Sequence, residues 1–221
     1  MIASVGSQAL DYLPPDLRVY LPTAETNARN NLKRADLENG RRIVEILAET
    51  KKSHVASAPD DQKLRRMRHL AAEFNDQFTP YSACKNSCSH CCNRSVLVAK
   101  SEAKLIALCI RTPLAKLVMT HRAGDKVVRT SYQGTPCTFL VAGKCSIYQH
   151  RPLVCRMLVN MDSDERLCKL KLNKAVPAAF LNYIDFQMFY ADLIAEKKLA
   201  DVREWFPKGL QVASMPPSSP A

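Results

Sequence analysis

The chain has 221 residues, and 32 Lys and Arg against 21 Asp and Glu give it a formal net charge of +11. A hydrophobic fraction of 47% supplies enough apolar surface for a core and excludes a wholly disordered chain. Six glycines argue against a glycine-rich nucleotide-binding fold, and no apolar run approaches the roughly 18–20 residues of a membrane span. The first residues lack the basic and apolar regions of a secretory signal, so we expect a cytoplasmic location.

The N-terminal part is predicted to be helical after an irregular arm. Residues 1–24 contain three prolines and no sustained apolar period, whereas residues 25–57 have helical spacing of their apolar positions. Gly40 is a point at which this helix could bend or divide. A second helix follows and ends at Pro80.

Shorter helical segments follow in the remaining chain. A helix is predicted to begin at Ser101 and end near Pro113, with Cys109 on its apolar side. Val127-Val128 is the best candidate for a short strand. The run from Pro177 to about Phe206 has the strongest helical pattern of the chain, and its aromatic residues are expected to pack against the N-terminal helices.

The predicted fold class is mainly α, with helices surrounding an irregular, loop-rich cysteine metal-binding insert. The domain assignment is as follows: an N-terminal helical extension over 1–80, a cysteine-cluster module over 81–172, a C-terminal helix packing on the core over 173–210, and a flexible tail over 211–221.

Nine cysteines dominate the interpretation, because an odd number cannot pair completely within one chain. In a reducing compartment, clustered thiols bind metal or carry out redox chemistry more often than they form disulfides. Cys84, Cys88, Cys91 and Cys92 lie so close in the sequence that they either share one side of a helix or form a Cys-x-x-Cys knuckle around a metal. His90, inside this cluster, could replace a thiolate, although a solvated side chain is the simpler expectation.

The first three of these cysteines also have the spacing found in radical S-adenosylmethionine enzymes. Those enzymes place the motif after the first strand of a long βα-barrel. The short and largely helical remainder of this chain does not fit such a barrel, so we reject this interpretation.

A second set of four cysteines is spread over loops that could converge on a common site. Three of them lie in distinctive segments, and the fourth is Cys168. The segments are Pro136-Cys137-Thr138-Phe139-Leu140, Cys145-Ser146-Ile147-Tyr148 and Arg151-Pro152-Leu153-Val154-Cys155-Arg156.

In order and spacing, these motifs resemble the YkgJ-type cysteine-cluster family over about residues 81–170. That family has a CxxCxxCC-like opening followed by PCxFL, C-x-IY and RPxxCR segments and a last cysteine. The one departure is an extra residue between Cys84 and Cys88. The resemblance implies chelation of zinc or iron but no agreed reaction. The candidate metal ligands are Cys84, Cys88, Cys91, Cys92, Cys137, Cys145, Cys155 and Cys168.

The number and identity of the metals stay open at this stage. Adjacent side chains such as those of Cys91 and Cys92 project in different directions, which favours two metals in close proximity. One four-cysteine site or a binuclear site with bridging thiolates are the alternatives. Thiolate ligands suit zinc or iron, including an iron–sulfur cluster. Arg151 and Arg156 are expected to offset thiolate charge.

Three functions compete. The first is a cytosolic metal-binding protein that chelates zinc or iron through about eight thiolates. The second is an iron–sulfur enzyme, because the motif is similar in character to the cysteine cluster of flagellin lysine N-methylases, which would imply methyl transfer. The third is a zinc-stabilised nucleic-acid-binding module, based on basic pairs such as Arg41-Arg42, with which acidic residues interleave. The expected partner is a metal ion; no catalytic residue and no protein partner is assigned.

Overall fold

The computed structural model describes residues 11–85, 88–117, 132–170, 178–181, 183–194 and 198–210. Its helices are α1 (Pro15–Val55), α2 (Asp60–Phe78), α3 (Lys100–Ile110), α4 (Leu153–Arg156), α5 (Ile184–Ile194) and α6 (Val202–Trp205). Its strands are β1 (Leu97–Ala99), β2 (Leu140–Val141), β3 (Lys144–Cys145) and β4 (Leu199–Asp201). Helices therefore dominate and the strands are short, which confirms the predicted mainly α class.

Helix α1 begins earlier than the sequence pattern indicates. Pro15 stands in its first turn, where a missing N–H breaks no helical hydrogen bond, and the helix continues through both Pro22 and Gly40. The prediction of an irregular arm up to residue 24 is therefore wrong from Pro15 onward. The reason is tertiary: Leu17 is buried, and the Tyr20 hydroxyl donates a hydrogen bond of 2.9 Å to Asp162 Oδ2.

The main core lies where α1, α2 and α5 meet. Phe74 of α2 is at its centre, with ring centroids 5.0 Å from Tyr183 and 5.4 Å from Phe186. Tilted and edge-on aromatic pairs at this separation are favourable beyond the area that they bury. This arrangement confirms that the aromatic C-terminal segment packs against the N-terminal helices.

The single helix predicted from Pro177 to Phe206 is wrong in the described part of that segment. After α5 the chain forms β4, which pairs antiparallel with β1, and then the short α6. Asp201 starts α6 with a capping box. The indole N–H of Trp205 donates to the Val98 carbonyl at 2.9 Å. Pairing with β1 thus overrides local helix propensity, and it places Trp205 in a second core beside the cysteines.

Two further predictions, the strand at Val127-Val128 and the flexible tail, lie outside the described residues. Within the described residues, no helix combines the length and the apolar character that crossing a membrane requires.

A substitution at Gly209 can test how closely the C-terminal segment is packed. It has φ +63°, and a Cβ atom at this position would lie 2.4 Å from the Thr138 carbonyl oxygen. We therefore expect Gly209→Ala to lower the free energy of unfolding by about 1–3 kcal/mol. Gly40→Ala is the matched control, because nothing lies within 4 Å of its added Cβ. In mid-helix it should stabilise the protein by about 0.5–1 kcal/mol. Urea unfolding measures both, and a Gly209→Ala protein as stable as the parent would contradict the described packing.

Candidate metal centre

The eight candidate ligands lie on short turns and on the ends of short elements. Cys91 and Cys92 belong to a 3-10 turn, His90–Asn93, Cys145 ends β3 and Cys155 lies in α4. The prediction that the first four cysteines share one side of a helix is therefore wrong for the described residues. All nine cysteines are free thiols; the eight candidates are half-buried, whereas Cys109 is exposed. The expectation that Cys109 packs in the core is also wrong, because its side of α3 faces solvent.

Three of the thiols, Cys84, Cys88 and Cys168, form what we call the first thiol group. Burial raises the pKa of Cys168 to about 12, and charge on Cys84 and Cys88 adds to the rise. Asn160 connects two of its members: its backbone N–H lies 3.4 Å from Cys84 Sγ and its Nδ2 lies 3.3 Å from Cys168 Sγ. Such N–H donors stabilise a charged sulfur, so Asn160 favours thiolates at both positions.

Four other thiols, Cys92, Cys137, Cys145 and Cys155, form the second thiol group. They line a cavity of about 50 Å³ together with Cys88 and Cys91, and its remaining walls include apolar side chains such as Phe139 and Ile147. Burial raises the pKa values of Cys137 and Cys145, and raises that of Cys155 strongly. Uncharged thiols are therefore favoured here as long as nothing else compensates a negative sulfur.

Cys91 interacts with thiols of both groups. Burial raises the pKa values of Cys84 and Cys88 in the first group and of Cys145 and Cys155 in the second, and the charge of Cys91 adds to each rise. Hydrogen bonding with Cys92 lowers the pKa of Cys91, with Arg151 and Arg94 contributing, and raises that of Cys92. Cys91 is therefore the thiol of this pair that ionises first.

Two half-buried arginines near the thiols each have one buried nitrogen that lacks a hydrogen-bond partner among the described residues. These are Nη2 of Arg94 and Nε of Arg151. Burial lowers the pKa of Arg94, and the charges of Cys168 and Cys91 oppose that fall. Arg151 lines the cavity of the second thiol group. An unpaired buried N–H is costly, so each of these nitrogens favours an acceptor or a negative charge nearby. Metal-bound thiolate would supply such a charge, and the residues present therefore fit a thiolate-bound metal.

A buried ion pair holds the loops of Cys92 and Cys137. Arg203 Nη1 lies 2.8 Å from Asp201 Oδ1, and both side chains are buried. The same guanidinium donates hydrogen bonds to four backbone carbonyls of those loops: Cys92, Arg94, Thr135 and Pro136. The Cys137 N–H also donates to the Cys92 carbonyl at 2.8 Å. These contacts hold the backbone of Cys92 close to that of Cys137.

A second buried ion pair holds α4 and its Cys155. The carboxylate of Glu102 accepts hydrogen bonds from the Leu153 N–H at 2.7 Å and from the Tyr190 hydroxyl at 2.8 Å. Arg68 Nε lies 3.4 Å from the same carboxylate, and its Nη2 donates to the carbonyls of His150 and Arg151. Burial raises the pKa of Glu102, while Arg68 opposes that rise.

The arginines singled out from the sequence have different roles. Arg151 lies over the Tyr148 ring and lines the thiol cavity, as a group that offsets thiolate charge should. Arg156 instead donates to the carbonyls of Gln149 and Arg151 and thereby shapes the loop before Cys155. Burial lowers the pKa of Arg156 to about 10.

Sequence reasoning missed Arg94, Glu102, Asn160 and Arg203. Arg203 lies within a pattern typical of a helix, and Glu102 resembles an ordinary acidic residue in the first turn of α3. It also missed Glu165, whose carboxylate lies within 4.8 Å of ligand atoms of Cys88 and His90.

Residues 83–175 match the family CxxCxxCC, whose description reads "Putative zinc- or iron-chelating domain". The match covers less than half of the chain and includes all eight candidate ligands. It confirms the resemblance found in the cysteine motifs. No curated protein and no solved structure matches the chain.

The Glu102 pair gives a direct test of how the site is held. Glu102→Gln preserves the shape of the side chain but leaves Arg68 buried without its counter-charge. We expect a loss of about 3 kcal/mol in the free energy of unfolding, together with faster loss of metal to a chelator. Glu45→Gln, in the exposed pairs with Arg41 and Arg42, should leave both quantities unchanged. Urea unfolding and chelator challenge measure the two effects, and equal behaviour of the variants would refute this role of Glu102.

Proposed function

We propose that this chain chelates two zinc ions through eight thiolates in a reducing, cytosolic environment. One ion is held by the first thiol group together with Cys91, and the other by the second thiol group. The two ligand sets are Cys84, Cys88, Cys91 and Cys168, and Cys92, Cys137, Cys145 and Cys155. The CxxCxxCC match supports chelation of zinc or iron, and the choice of zinc and the division into two sites are our proposal.

One observation carries this proposal: buried N–H groups of Arg94 and Arg151, near the thiols, lack a hydrogen-bond partner among the described residues. A divalent ion bound by four thiolates has a net negative charge, which pairs with one such guanidinium. Neutral thiols would leave these two N–H groups without an anionic partner among the described residues. Two cationic groups, one beside each set, thus support two anionic centres.

The raised pKa values of the half-buried thiols determine how metal binding should be linked to proton release. Burial disfavours a free thiolate at Cys137, Cys145, Cys155 and Cys168. A bound metal removes this penalty, because coordination deprotonates the thiol and neutralises its charge. Metal binding should therefore release protons and stabilise the fold at the same time.

Zinc suits these sets because four thiolates around it form a closed site that needs no further ligand. A site of this kind supports structure, sensing or metal transfer, since it leaves no open position for substrate. The basic pairs of the N-terminal helices do not favour the nucleic-acid alternative. Arg42 pairs with Glu45, Glu49 and Glu73, and Arg66 pairs with Glu49.

Elemental analysis of protein purified without oxygen tests the proposal, and we expect two zinc ions per chain and no visible colour. Cys168→Ser and Cys155→Ser should each remove one ion, from different sites, and each should lower Tm because metal binding and folding are coupled. Cys109→Ser is the control, because Cys109 is exposed on α3 and should change neither quantity.

Two results would contradict the proposal. Iron with acid-labile sulfide and a broad absorption band near ~400 nm would instead identify an iron–sulfur cluster. A single ion that both variants abolish would contradict the division into two sites.

A further inference from the structure

We propose that Cys88, His90 and Glu165 form a capture site, at which a divalent metal ion binds first before it reaches the first thiol group. The inference rests on the proposed function and adds a route for the metal. One ligand atom from each of these residues lies within 4.8 Å of the other two. They offer a sulfur, an imidazole nitrogen and a carboxylate oxygen, a mixed set that suits zinc and other divalent first-row metals.

The capture site lies on the accessible side of the thiols. His90 Nε2 is 3.5 Å from Glu165 Oε2, and the two side chains are 29% and 41% exposed. Cys88 is half-buried and also lines the thiol cavity beside Cys91 and Cys92. Cys88 is therefore common to the accessible set and to the buried thiols, so an ion can keep one ligand as it moves inward.

A small cavity lies beside His90 of the capture site. It has a volume of about 30 Å³ and is lined by His90, Arg94, Cys168 and Lys169, among others. This volume is enough for at least one water molecule or ion. His90 of the capture site and Cys168 of the first thiol group thus face one space.

The transfer is an exchange of ligands without change of oxidation state. The ion keeps its bond to Cys88 sulfur, while its bonds to His90 nitrogen and Glu165 oxygen break. Bonds to the sulfurs of Cys84, Cys91 and Cys168 form, and the thiols among them release their protons to water. The exchange runs inward because thiolates are softer ligands that bind zinc more tightly than the mixed set.

Lys169 competes with the metal for the carboxylate. Its Nζ lies 2.7 Å from Glu165 Oε1. An incoming cation must displace this ammonium group, so Lys169 slows capture and also returns the carboxylate to its resting position after transfer. Removal of the ammonium group should therefore have the opposite kinetic effect from removal of the ligands.

The experiment follows metal exchange in the full-length, zinc-loaded protein. Excess Co²⁺ is added, and the growth of the cobalt–thiolate absorption gives the rate at each site, since entry and exit share one path. We expect His90→Gln and Glu165→Gln to slow exchange of one of the two ions by about tenfold. Stoichiometry, Tm and exchange of the second ion should stay unchanged. Lys169→Met should accelerate the same phase.

The matched control is His69→Gln, because His69 is exposed on α2 and belongs to none of these groups. Exchange at the parent rate in both ligand variants would overturn the capture site. Loss of one zinc ion in either variant would also overturn it, because that residue would then be a permanent ligand. Failure of the proposed function gives a different result, since the parent protein itself would then not hold two zinc ions.

Discussion

The architecture depends on two buried ion pairs whose arginines bind backbone carbonyls. Arg203, paired with Asp201, holds the turns of Cys92 and Cys137, and Arg68, paired with Glu102, holds the loop that leads to Cys155. Irregular loops cannot satisfy their own carbonyls as helices do, so burying them requires donors from elsewhere. A guanidinium is suited to this task because it presents five donors in a rigid plane. The surrounding helices thus act as a frame that supplies these donors to the thiol loops.

The N-terminal helices are part of this frame. Helix α1 reaches the loop that follows α4 through Tyr20 and Asn27, which both donate to the buried carboxylate of Asp162. Two residues before Asp162, Asn160 donates to two sulfurs of the first thiol group. A chain of hydrogen bonds therefore connects α1 to the thiols. We expect substitutions in α1 to affect the metal centre through it.

The second thiol group and the capture site differ in their charged neighbours and in their exposure. On the buried side, Arg151 faces the second thiol group across an apolar cavity, where a free thiolate would be costly. On the accessible side, His90 and Glu165 add harder ligands beside Cys88. Under the capture route proposed above, a metal would exchange at the more exposed ligands and be retained by the thiols.

The sequence by itself determined the fold class, the eight candidate ligands and their likeness to a chelating family. These features are local: helical periodicity shows in α2 and α3, and the cysteine motifs are short and ordered along the chain. The tertiary structure decided the rest, because the deciding contacts join distant residues. Helix propensity over 177–206 gives way where β4 pairs with β1, and Pro22 is accepted inside a helix that long-range contacts stabilise. In the same way, no sequence pattern shows that Arg203 holds Cys92, since each of its hydrogen bonds exists only after the loops have converged.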